Sequence, residues 1–140
     1  LRVDPAGNIL EWRSRSGLPI PRYGSPCPRW NVHTAFLTPG RIDTQLAQLT
    51  DGTTYVFVAR AVTEPGPGHG SPKSHVSLAI GCEIAFAPQL VYADGLDLGR
   101  RDTVTPVGVT CRQCERGDCA QRAFPSLVRE TRGPAERAAE

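Results

Sequence analysis

Ile42-Asp-Thr-Gln-Leu-Ala-Gln-Leu49 and Tyr55-Val-Phe-Val-Ala-Arg-Ala-Val62 are two strand-like runs that flank Asp51-Gly52, and together they decide the fold. Asp-Gly between two such runs is a strong short-range signal for a β-hairpin. The loop from residue 50 to residue 54 is longer than a two-residue turn. We therefore predict two antiparallel strands joined by a short loop at the centre of the domain.

A further strand is predicted after the hairpin. Residues 64–72, Glu-Pro-Gly-Pro-Gly-His-Gly-Ser-Pro, contain too much proline and glycine for regular structure, so we expect an exposed loop there. Residues 75–84 alternate in hydrophobicity, which is typical of a strand with one face towards the core. The residues expected on that inward face are Val76, Leu78, Ile80, Cys82 and Ile84.

One strand and one helix are predicted upstream of the hairpin. Residues 8–14 alternate loosely and precede a turn-rich stretch, which favours a strand. Pro28 suits the first turn of a helix because its missing N–H has no partner there. The helix should run for about two to three turns before Pro39-Gly40 ends it. Its residues at helical spacing are Trp30, Val32, His33, Phe36 and Leu37.

The C-terminal part completes the predicted fold. Residues 88–98 favour a short helix, and residues 104–109 favour a last strand that leads into a cluster of cysteines. Strands in series with a few short helices predict an α+β domain built on an antiparallel sheet, with a cysteine-ligated metal loop near the C-terminus. We expect a single domain over residues 1–127. Residues 128–140 have little apolar surface, so a frayed or disordered tail is expected there.

Length and charge narrow the functional classes. At 140 residues the chain has the size of one domain that can bury a core without disulfides. Its formal net charge of +2 comes from charges scattered along the chain, so we expect no direct contact of this segment with nucleic acid. No apolar run approaches the roughly 20 residues that span a bilayer, so no membrane association is expected. The sequence contains no methionine and opens like the interior of a longer protein.

The five cysteines indicate a metal site rather than disulfides. Their odd number and tight grouping are typical of metal ligation in a reducing cytoplasm, where we place the protein. Cys111, Cys114 and Cys119 have the spacing C-x2-C-x4-C, which lets two thiolates converge on a metal while a looser gap brings the third. Gly117 can supply a positive φ for such a loop. The arginines expected to offset the thiolate charge are Arg112, Arg116 and Arg122.

The fourth ligand must come from a distant part of the chain. A structural zinc site usually shows two paired cysteine knuckles, whereas three thiolates in one loop plus one remote ligand is the commoner iron-sulfur pattern. We therefore favour an iron-sulfur cluster, with zinc as the alternative. Cys27 is the preferred fourth ligand because it precedes Pro28 in a turn before a helix N-terminus. Cys82, His33 and a non-protein ligand are the alternatives, although a strand cysteine such as Cys82 is more often a small hydrophobic residue.

Two other interpretations of the cysteines are weaker. Unpaired surface thiols or a local disulfide would be unfavourable in a reducing compartment. A thiol-dependent enzyme would need a cysteine paired with a base, and Cys27 and His33 are poorly spaced to share one helical face. We therefore expect no catalytic role.

Three stretches resemble one protein family. They are Cys-Pro-x-Trp-Asn-x-His-x-Ala-Phe at 27–36, Leu-Val-Tyr-Ala-Asp-Gly-Leu-Asp-Leu at 90–98 after Gly81-Cys82, and Val-Gly-Val-Thr-Cys-Arg-x-Cys-Glu-Arg-x-Asp-Cys-x-Gln-Arg-Ala-Phe-Pro at 107–125. Together they are similar to the C-terminal domain of the bacterial short-chain acyl-CoA-responsive transcriptional regulators that control the methylcitrate and glyoxylate pathways. The resemblance covers most of residues 27–127. Phe86 and Pro88 depart from it, because they stand where a more polar, histidine-containing stretch is expected.

The resemblance implies the regulatory domain of a transcription factor. Members of the family have an N-terminal helix-turn-helix domain, bind CoA or short-chain acyl-CoA thioesters, and carry a [4Fe-4S] cluster near the C-terminus. The resemblance implies that Cys111, Cys114 and Cys119 hold this cluster. It also implies DNA binding through an N-terminal domain that is missing from this segment. The CoA site is not assigned, and the arginines that could contact its phosphates are Arg60, Arg100 and Arg101.

Two function hypotheses follow. The first is a sensor domain, expected to be homo-oligomeric, whose [4Fe-4S] cluster stabilises a fold or subunit interface needed for acyl-CoA-responsive control of transcription. The second is a zinc-stabilised protein-interaction module that uses the same cysteines. The metal content of the purified protein distinguishes them.

Overall fold

The computed structural model describes residues 1–15, 17–21 and 25–128. The predicted frayed tail at 128–140 lies outside the described residues apart from Val128. None of the helices in the described ranges is long and apolar enough to cross a membrane.

The described strands form one mixed sheet. They are β1 (Arg2–Val3), β2 (Ile9–Glu11), β3 (Asp43–Gln48), β4 (Thr54–Glu64), β5 (Ser74–Glu83) and β6 (Thr105–Pro106). Their order across the sheet is β2-β1-β5-β4-β3-β6. Neighbouring strands are antiparallel except β3 and β6, which are parallel. The predicted α+β class is confirmed, and the predicted antiparallel sheet is wrong only at β6, because the chain crosses one face of the sheet after β5 before it returns beside β3.

The helices are short. The helix predicted after Cys27 is present as α1 (Asn31–Thr34), which continues directly as a 3-10 helix over Ala35–Leu37. It ends before Pro39-Gly40 as predicted, but Pro28 lies ahead of its first turn and not within it. Further 3-10 helices span Ile84–Gln89, Val91–Ala93, Arg101–Thr103 and Cys111–Gln113. The short helix predicted at 88–98 is therefore replaced by two 3-10 turns, Ile84–Gln89 and Val91–Ala93, the first of which contains Pro88.

The predicted central hairpin is confirmed. β3 and β4 pair from Asp43 opposite Ala59 to Gln48 opposite Thr54. The loop between them is held by Asp51, whose carboxylate accepts the N–H of Thr53 at 2.9 Å. Gly52 follows with φ of 87°, a conformation that favours glycine. The expected proline- and glycine-rich loop connects β4 to β5 and is mostly exposed.

The larger core lies on the face of the sheet that carries the aromatic residues of β4. Tyr55 and Phe57 stack with ring centroids 5.8 Å apart, and Trp30 stacks on Phe57 at 5.2 Å. Such aromatic pairs add about 0.5–1.5 kcal/mol to the gain from burial. The buried residues of this core are Val3, Cys27, Trp30, Val32, Ala35, Ala47, Leu49, Tyr55, Phe57, Ala59, Ala61, Ala79 and Val107.

The smaller core lies on the opposite face of the sheet, beneath the 3-10 turns. Leu46 and Val56 from the sheet pack with Ala87 and Ala93 from the turns. Partly buried residues surround this group: Ile84, Leu90, Leu96, Leu98 and Val104. These contacts explain why the chain crosses this face before it forms β6.

The inward face predicted for residues 75–84 is only partly confirmed: Val76 is fully buried and Ile84 packs against the smaller core, but the middle of the face is open. Leu78 and Ile80 are 44% and 67% exposed, and Cys82, which shares their face, is only half-buried. The residues that face the larger core are small because a Cβ at Gly81 would lie 2.5 Å from the ring of Phe57. Alternation in the sequence shows which residues of a strand share a face. It does not show which of the two faces packs against an aromatic ring of the neighbouring strand.

Two other predicted strands are shorter than expected. The strand predicted at 8–14 is limited to β2, and the one predicted at 104–109 is limited to β6. β1 has no counterpart among the predictions, since two residues are too few to show a period.

Candidate metal centre

The cysteine loop follows β6 and is partly buried. Cys111 begins the 3-10 helix Cys111–Gln113, and Cys114 caps it, with its N–H donating to the carbonyl of Cys111 at 3.4 Å. The two residues are 7% and 8% exposed, so both thiols are largely removed from solvent. Both of these predicted ligands therefore lie on one tight turn.

Cys27 lies beside this loop although it is distant in the sequence. Its N–H donates to the carbonyl of Val109 at 3.1 Å, which joins the turn before α1 to the strand end that leads into the loop. Burial raises the pKa of the Cys27 thiol, and the proximity of Cys111 and Cys114 raises it further. Hydrogen bonds from the main chain of Gly108 and Arg29 act in the opposite direction. The structure thus brings together three of the four predicted ligands.

Gly108 permits the close packing of the loop. A Cβ at this position would lie 2.9 Å from the sulfur of Cys114 and 3.0 Å from its Cβ. Any other residue would push the Cys114 side chain away from its place. The sequence places this glycine in the motif that resembles the family, but spacing alone does not indicate its steric role.

Arg122 holds the cysteine loop through main-chain carbonyls. Its guanidinium donates to the carbonyl of Cys111 at 3.1 Å and to that of Cys114 at 3.4 Å, and it also donates to the carbonyl of Arg116. Its own N–H donates to the carbonyl of Cys119 at 3.1 Å. One arginine therefore connects all three cysteines of the loop.

Arg116 joins the loop to the sheet. Its guanidinium donates to the carbonyl of Gln48 at 3.0 Å, of Leu49 at 3.1 Å and of Val107 at 3.3 Å. Arg112 instead lies over the ring of Phe124, with its guanidinium carbon 4.8 Å from the ring centroid. The three arginines were expected to offset thiolate charge, and the contacts seen are with carbonyls and a ring. The structural role of Arg116 and Arg122 was missed at the level of sequence.

Cys119 is the least enclosed member of the predicted set. It is half-buried, and its link to the other cysteines is the hydrogen bond from Arg122. Among the described residues, no group of three or more His, Cys, Asp or Glu side chains has a geometry that would hold a metal ion. The predicted metal loop therefore stays a prediction.

Cys82 lies apart from the other cysteines. It stands on β5 opposite Val56, and its pKa is raised by burial and then by the neighbouring Glu83. His33 is closer to the loop, because it lines a cavity of about 240 Å3 together with Cys111. Burial lowers the pKa of His33, while hydrogen bonds with the main chain of the Pro26 and Cys27 region raise it.

The candidate phosphate partners are separated. Arg100 and Arg101 line one cavity of about 510 Å3, whereas Arg60 stands exposed on β4 opposite Leu78. The guanidinium of Arg100 is bound to the carboxylate of Asp102, with an Nε to Oδ1 distance of 3.0 Å. Arg101 is the exposed arginine of this cavity for which no such ion pair is seen among the described residues.

Comparison with known proteins identifies the family. The family model described as "Short-chain fatty acyl coenzyme A regulator, C-terminal" matches residues 1–139. The chain is 45% identical over 132 residues to a propionyl-CoA carboxylase regulator from Cereibacter sphaeroides, which covers 94% of the chain and 28% of that protein. It is 45% identical over 131 residues to the HTH-type transcriptional regulator RamB of Mycobacterium tuberculosis, and this match covers 92% of the chain and 28% of RamB. It is 42% identical over 127 residues to the HTH-type transcriptional regulator PrpR of the same species, and this match covers 91% of the chain and 26% of PrpR.

A solved structure shows the same fold. It is described as a Mycobacterium tuberculosis transcriptional regulator and superposes with a TM-score of 0.82 at 42% identity, over 90% of this chain and 38% of that one. The chain spans only about a quarter of the length of the curated relatives it matches. These relatives are regulators and not enzymes, which confirms the expected lack of a catalytic role. The chain belongs to the family of short-chain fatty acyl-CoA regulators and corresponds to its C-terminal region.

Proposed function

We propose that this domain is the regulatory part of a transcription factor and that it holds a [4Fe-4S] cluster on Cys27, Cys111, Cys114 and Cys119. The observation that carries the proposal is the position of Cys27, which is buried next to Cys111 and Cys114 despite its distance in the sequence. Buried thiols that meet from separate segments are the donor set that an iron-sulfur cluster requires. The cluster would join the turn before α1 to the C-terminal loop.

The surroundings of the thiols fit this chemistry. The N–H of Ala123 points to the sulfur of Cys111 at 3.4 Å, and hydrogen bonds to sulfur tune iron-sulfur sites. Gly108 leaves space for the side chain of Cys114, and Arg116 and Arg122 place positive charge around the loop. The hydrogen bonds of Arg116 and Arg122 hold the loop in place, so that thiolate ligands would lie in a partly positive environment.

Metal analysis of the full-length protein tests the proposal. A sample purified without oxygen should be brown, absorb broadly near 400 nm and contain about four irons per chain. A colourless sample with one zinc per chain would favour the alternative, a zinc-stabilised interaction module.

Two cysteine variants test the ligand set. Cys27→Ser should lower the iron content strongly, because serine would replace one of the four proposed thiolate ligands. Cys82→Ser is the matched control, since Cys82 lies away from that group, and it should retain wild-type iron. The reverse result would assign the fourth ligand to Cys82.

The domain would serve acyl-CoA-responsive control of transcription as part of a longer protein. The family description and the relatives' names support a CoA or short-chain acyl-CoA effector. DNA would be bound by a helix-turn-helix domain N-terminal to this segment, and RamB is named an HTH-type transcriptional regulator. We also propose a cytoplasmic homo-oligomer, which gel filtration of the full-length protein would test.

Arg101 is the better candidate for a contact with CoA phosphates. It lines the cavity of about 510 Å3, a volume within the range of about 300–1,000 Å3 that is typical of ligand pockets. Calorimetry with CoA should show weaker binding by full-length Arg101→Ala than by Arg60→Ala, whose arginine lies outside this cavity. Equal affinities would place the CoA phosphates elsewhere.

A further inference from the structure

Part of the outer edge of β5 has no neighbouring strand in the described chain. β1 pairs with β5 through Arg2 and Val3. Leu1 extends this pairing with two main-chain hydrogen bonds to Ala79, at 2.9 and 3.0 Å. β5 then continues to Glu83 with β4 on one side. Beyond Ala79, none of the described strands pairs with its other side.

The alternation of hydrogen bonds along β5 identifies the free groups on this edge. In an antiparallel sheet, a residue directs its N–H and C=O to one neighbouring strand, and the next residue directs them to the other. Ala79 bonds to Leu1, so the N–H and C=O groups of Gly81 and Glu83 face the same side as those of Ala79. Those of Ile80 and Cys82 face β4. The N–H and C=O of Gly81 and the N–H of Glu83 therefore point into the open side. Groups of this kind can accept an added strand.

The residues that follow β2 lie across from this free part of the β5 edge. Arg2 lies opposite Glu11 in the pairing of β1 with β2, so a continuation of β1 upstream of Leu1 would run beside the residues after Trp12. A cavity of about 280 Å3 lies there. Its walls include Arg13, Ser14 and Arg15 on one side and Ala79, Gly81 and Glu83 on the other. The cavity thus continues the place that β1 occupies between β2 and β5.

We propose that this cavity is a strand-addition site and that its occupant is the segment directly N-terminal to Leu1 in the full-length regulator. Because β1 is antiparallel to β5, this segment would advance along β5 towards Glu83. Its second residue upstream of Leu1 would pair with Gly81 and its fourth would lie opposite Glu83. The matching family model is a C-terminal one, and the chain covers 26–28% of the relatives, so these proteins have polypeptide to supply upstream.

A peptide strand suits this cavity better than a small molecule does. The cavity offers main-chain donors and acceptors at strand spacing, and it continues an existing ladder in register. The added strand would cover Ile80, which is 67% exposed, and would lie near Phe86. It would also reach Phe57, which lines the cavity and stacks on Trp30. The site would thereby attach the rest of the regulator to the core that contains the cysteines.

Hydrogen exchange in the full-length wild-type protein tests the proposal. The amides of Gly81 and Glu83 should exchange as slowly as those of Ile80 and Cys82, within about tenfold, because all four would be bonded in a sheet. Faster exchange at Gly81 and Glu83 would leave this edge open in the intact protein and would overturn the proposal.

The identity of the occupant needs a second measurement. Replacing the four residues before Leu1 by prolines, which cannot donate hydrogen bonds, should speed exchange at Gly81 and Glu83 by at least about tenfold and leave Ile80 unchanged. Four prolines placed about ten residues further upstream serve as the control and should have no such effect. Protection that persists in the first variant, or that disappears on dilution, would point to another segment or a second copy and would contradict the proposal.

Discussion

The two faces of the sheet are built in different ways. On the first face, a large ring covers a small residue: Phe57, on which Trp30 stacks, lies directly against Gly81. On the second face, short 3-10 turns cover only part of the sheet and leave Leu78 and Ile80 exposed. Cys27 belongs to the larger core on the first face. We therefore expect the first face to be the more rigid one.

Hydrogen bonding follows the same division. The cysteine loop is tied to distant strands, because Arg116 reaches the carbonyls of Gln48 and Leu49. The turns on the second face are held by local bonds, such as those from Leu90 to Ala87 and from Ala93 to Leu90, both 2.9 Å. We therefore expect substitutions on the first face to affect stability more, and the following variants test this difference.

The largest effect is expected for Trp30→Ala. Trp30 is 1% exposed, and its removal from the first face should lower the free energy of unfolding by about 3–5 kcal/mol, as is usual for a buried aromatic residue. Denaturant titration measures the change. Trp12→Ala is the matched control, because Trp12 is 44% exposed and should cost much less. Similar losses for both variants would contradict the view that the first face is the rigid one.

A smaller effect is expected for Arg116→Ala. The variant loses the charged donor to three carbonyls and should be destabilised by about 1.5–3 kcal/mol. Arg41→Ala removes an exposed arginine and should change the free energy by less than about 0.5 kcal/mol. If the two variants are equally stable, the bonds of Arg116 to the sheet contribute little.

Gly81→Ala tests the close contact of β5 with the aromatic rings. Its Cβ would meet the ring of Phe57 at 2.5 Å, so we expect a loss of about 1–3 kcal/mol from overpacking. At Gly95 a Cβ meets nothing within 4 Å, and Gly95→Ala should be tolerated. Thermal unfolding of the two variants compares them directly, and equal melting temperatures would show that Phe57 moves away without cost.

The second face offers a comparison within itself. Val91 is 74% exposed, and Val91→Thr should change the free energy of unfolding by less than about 0.5 kcal/mol. Val56 is fully buried between the sheet and the turns, and Val56→Thr should cost about 1–3 kcal/mol because the hydroxyl is buried. If Val56→Thr leaves the free energy of unfolding unchanged, water reaches the side chain at this position beneath the 3-10 turns.

The smallest effect is expected at the turn between β1 and β2, outside both cores. The carboxylate of Asp4 accepts the side-chain NH2 of Asn8 at 2.9 Å and its main-chain N–H at 2.8 Å, and these bonds lower the pKa of Asp4 below the usual 3.8. The stabilisation is therefore present above pH 3.8 and is lost as the pH falls through the lowered pKa. Urea titrations should show that wild type exceeds Asp4→Asn slightly at pH 6 and that the difference shrinks at low pH. A constant difference would mean that ionisation of Asp4 is irrelevant.

Local signals in the sequence were sufficient for much of the fold. Asp51-Gly52 between two strand-like runs predicted β3 and β4, and alternation over residues 75–84 predicted β5. The inward face predicted for β5 is only partly confirmed, because its packing depends on the ring of Phe57, which belongs to a different strand. The parallel pairing of β6 with β3 likewise depends on how the intervening turns pack, which no local pattern contains.

The cysteine site could be predicted only in part. Spacing indicated Cys111, Cys114 and Cys119. In the structure Cys27 lies near Cys111 and Cys114 whereas Cys82 stands apart on β5, and the choice of Cys27 as the fourth ligand stays a prediction. The supporting contacts could not be predicted, because Arg116 and Arg122 act through carbonyls whose places are fixed by the completed fold. The bound metal itself stays a prediction.

The hydrogen bond from Cys27 to Val109 has a consequence for the order of folding. At about 5–20 residues per second, a ribosome needs roughly 4 to 17 seconds to proceed from Cys27 to Cys111. The antiparallel strands between them can pair during this time, since hairpins form within about 1–10 microseconds. We therefore expect that most of the sheet has formed around Cys27 before the cysteines of the loop are synthesised. Any incorporation of metal should then be the last step in the maturation of the domain.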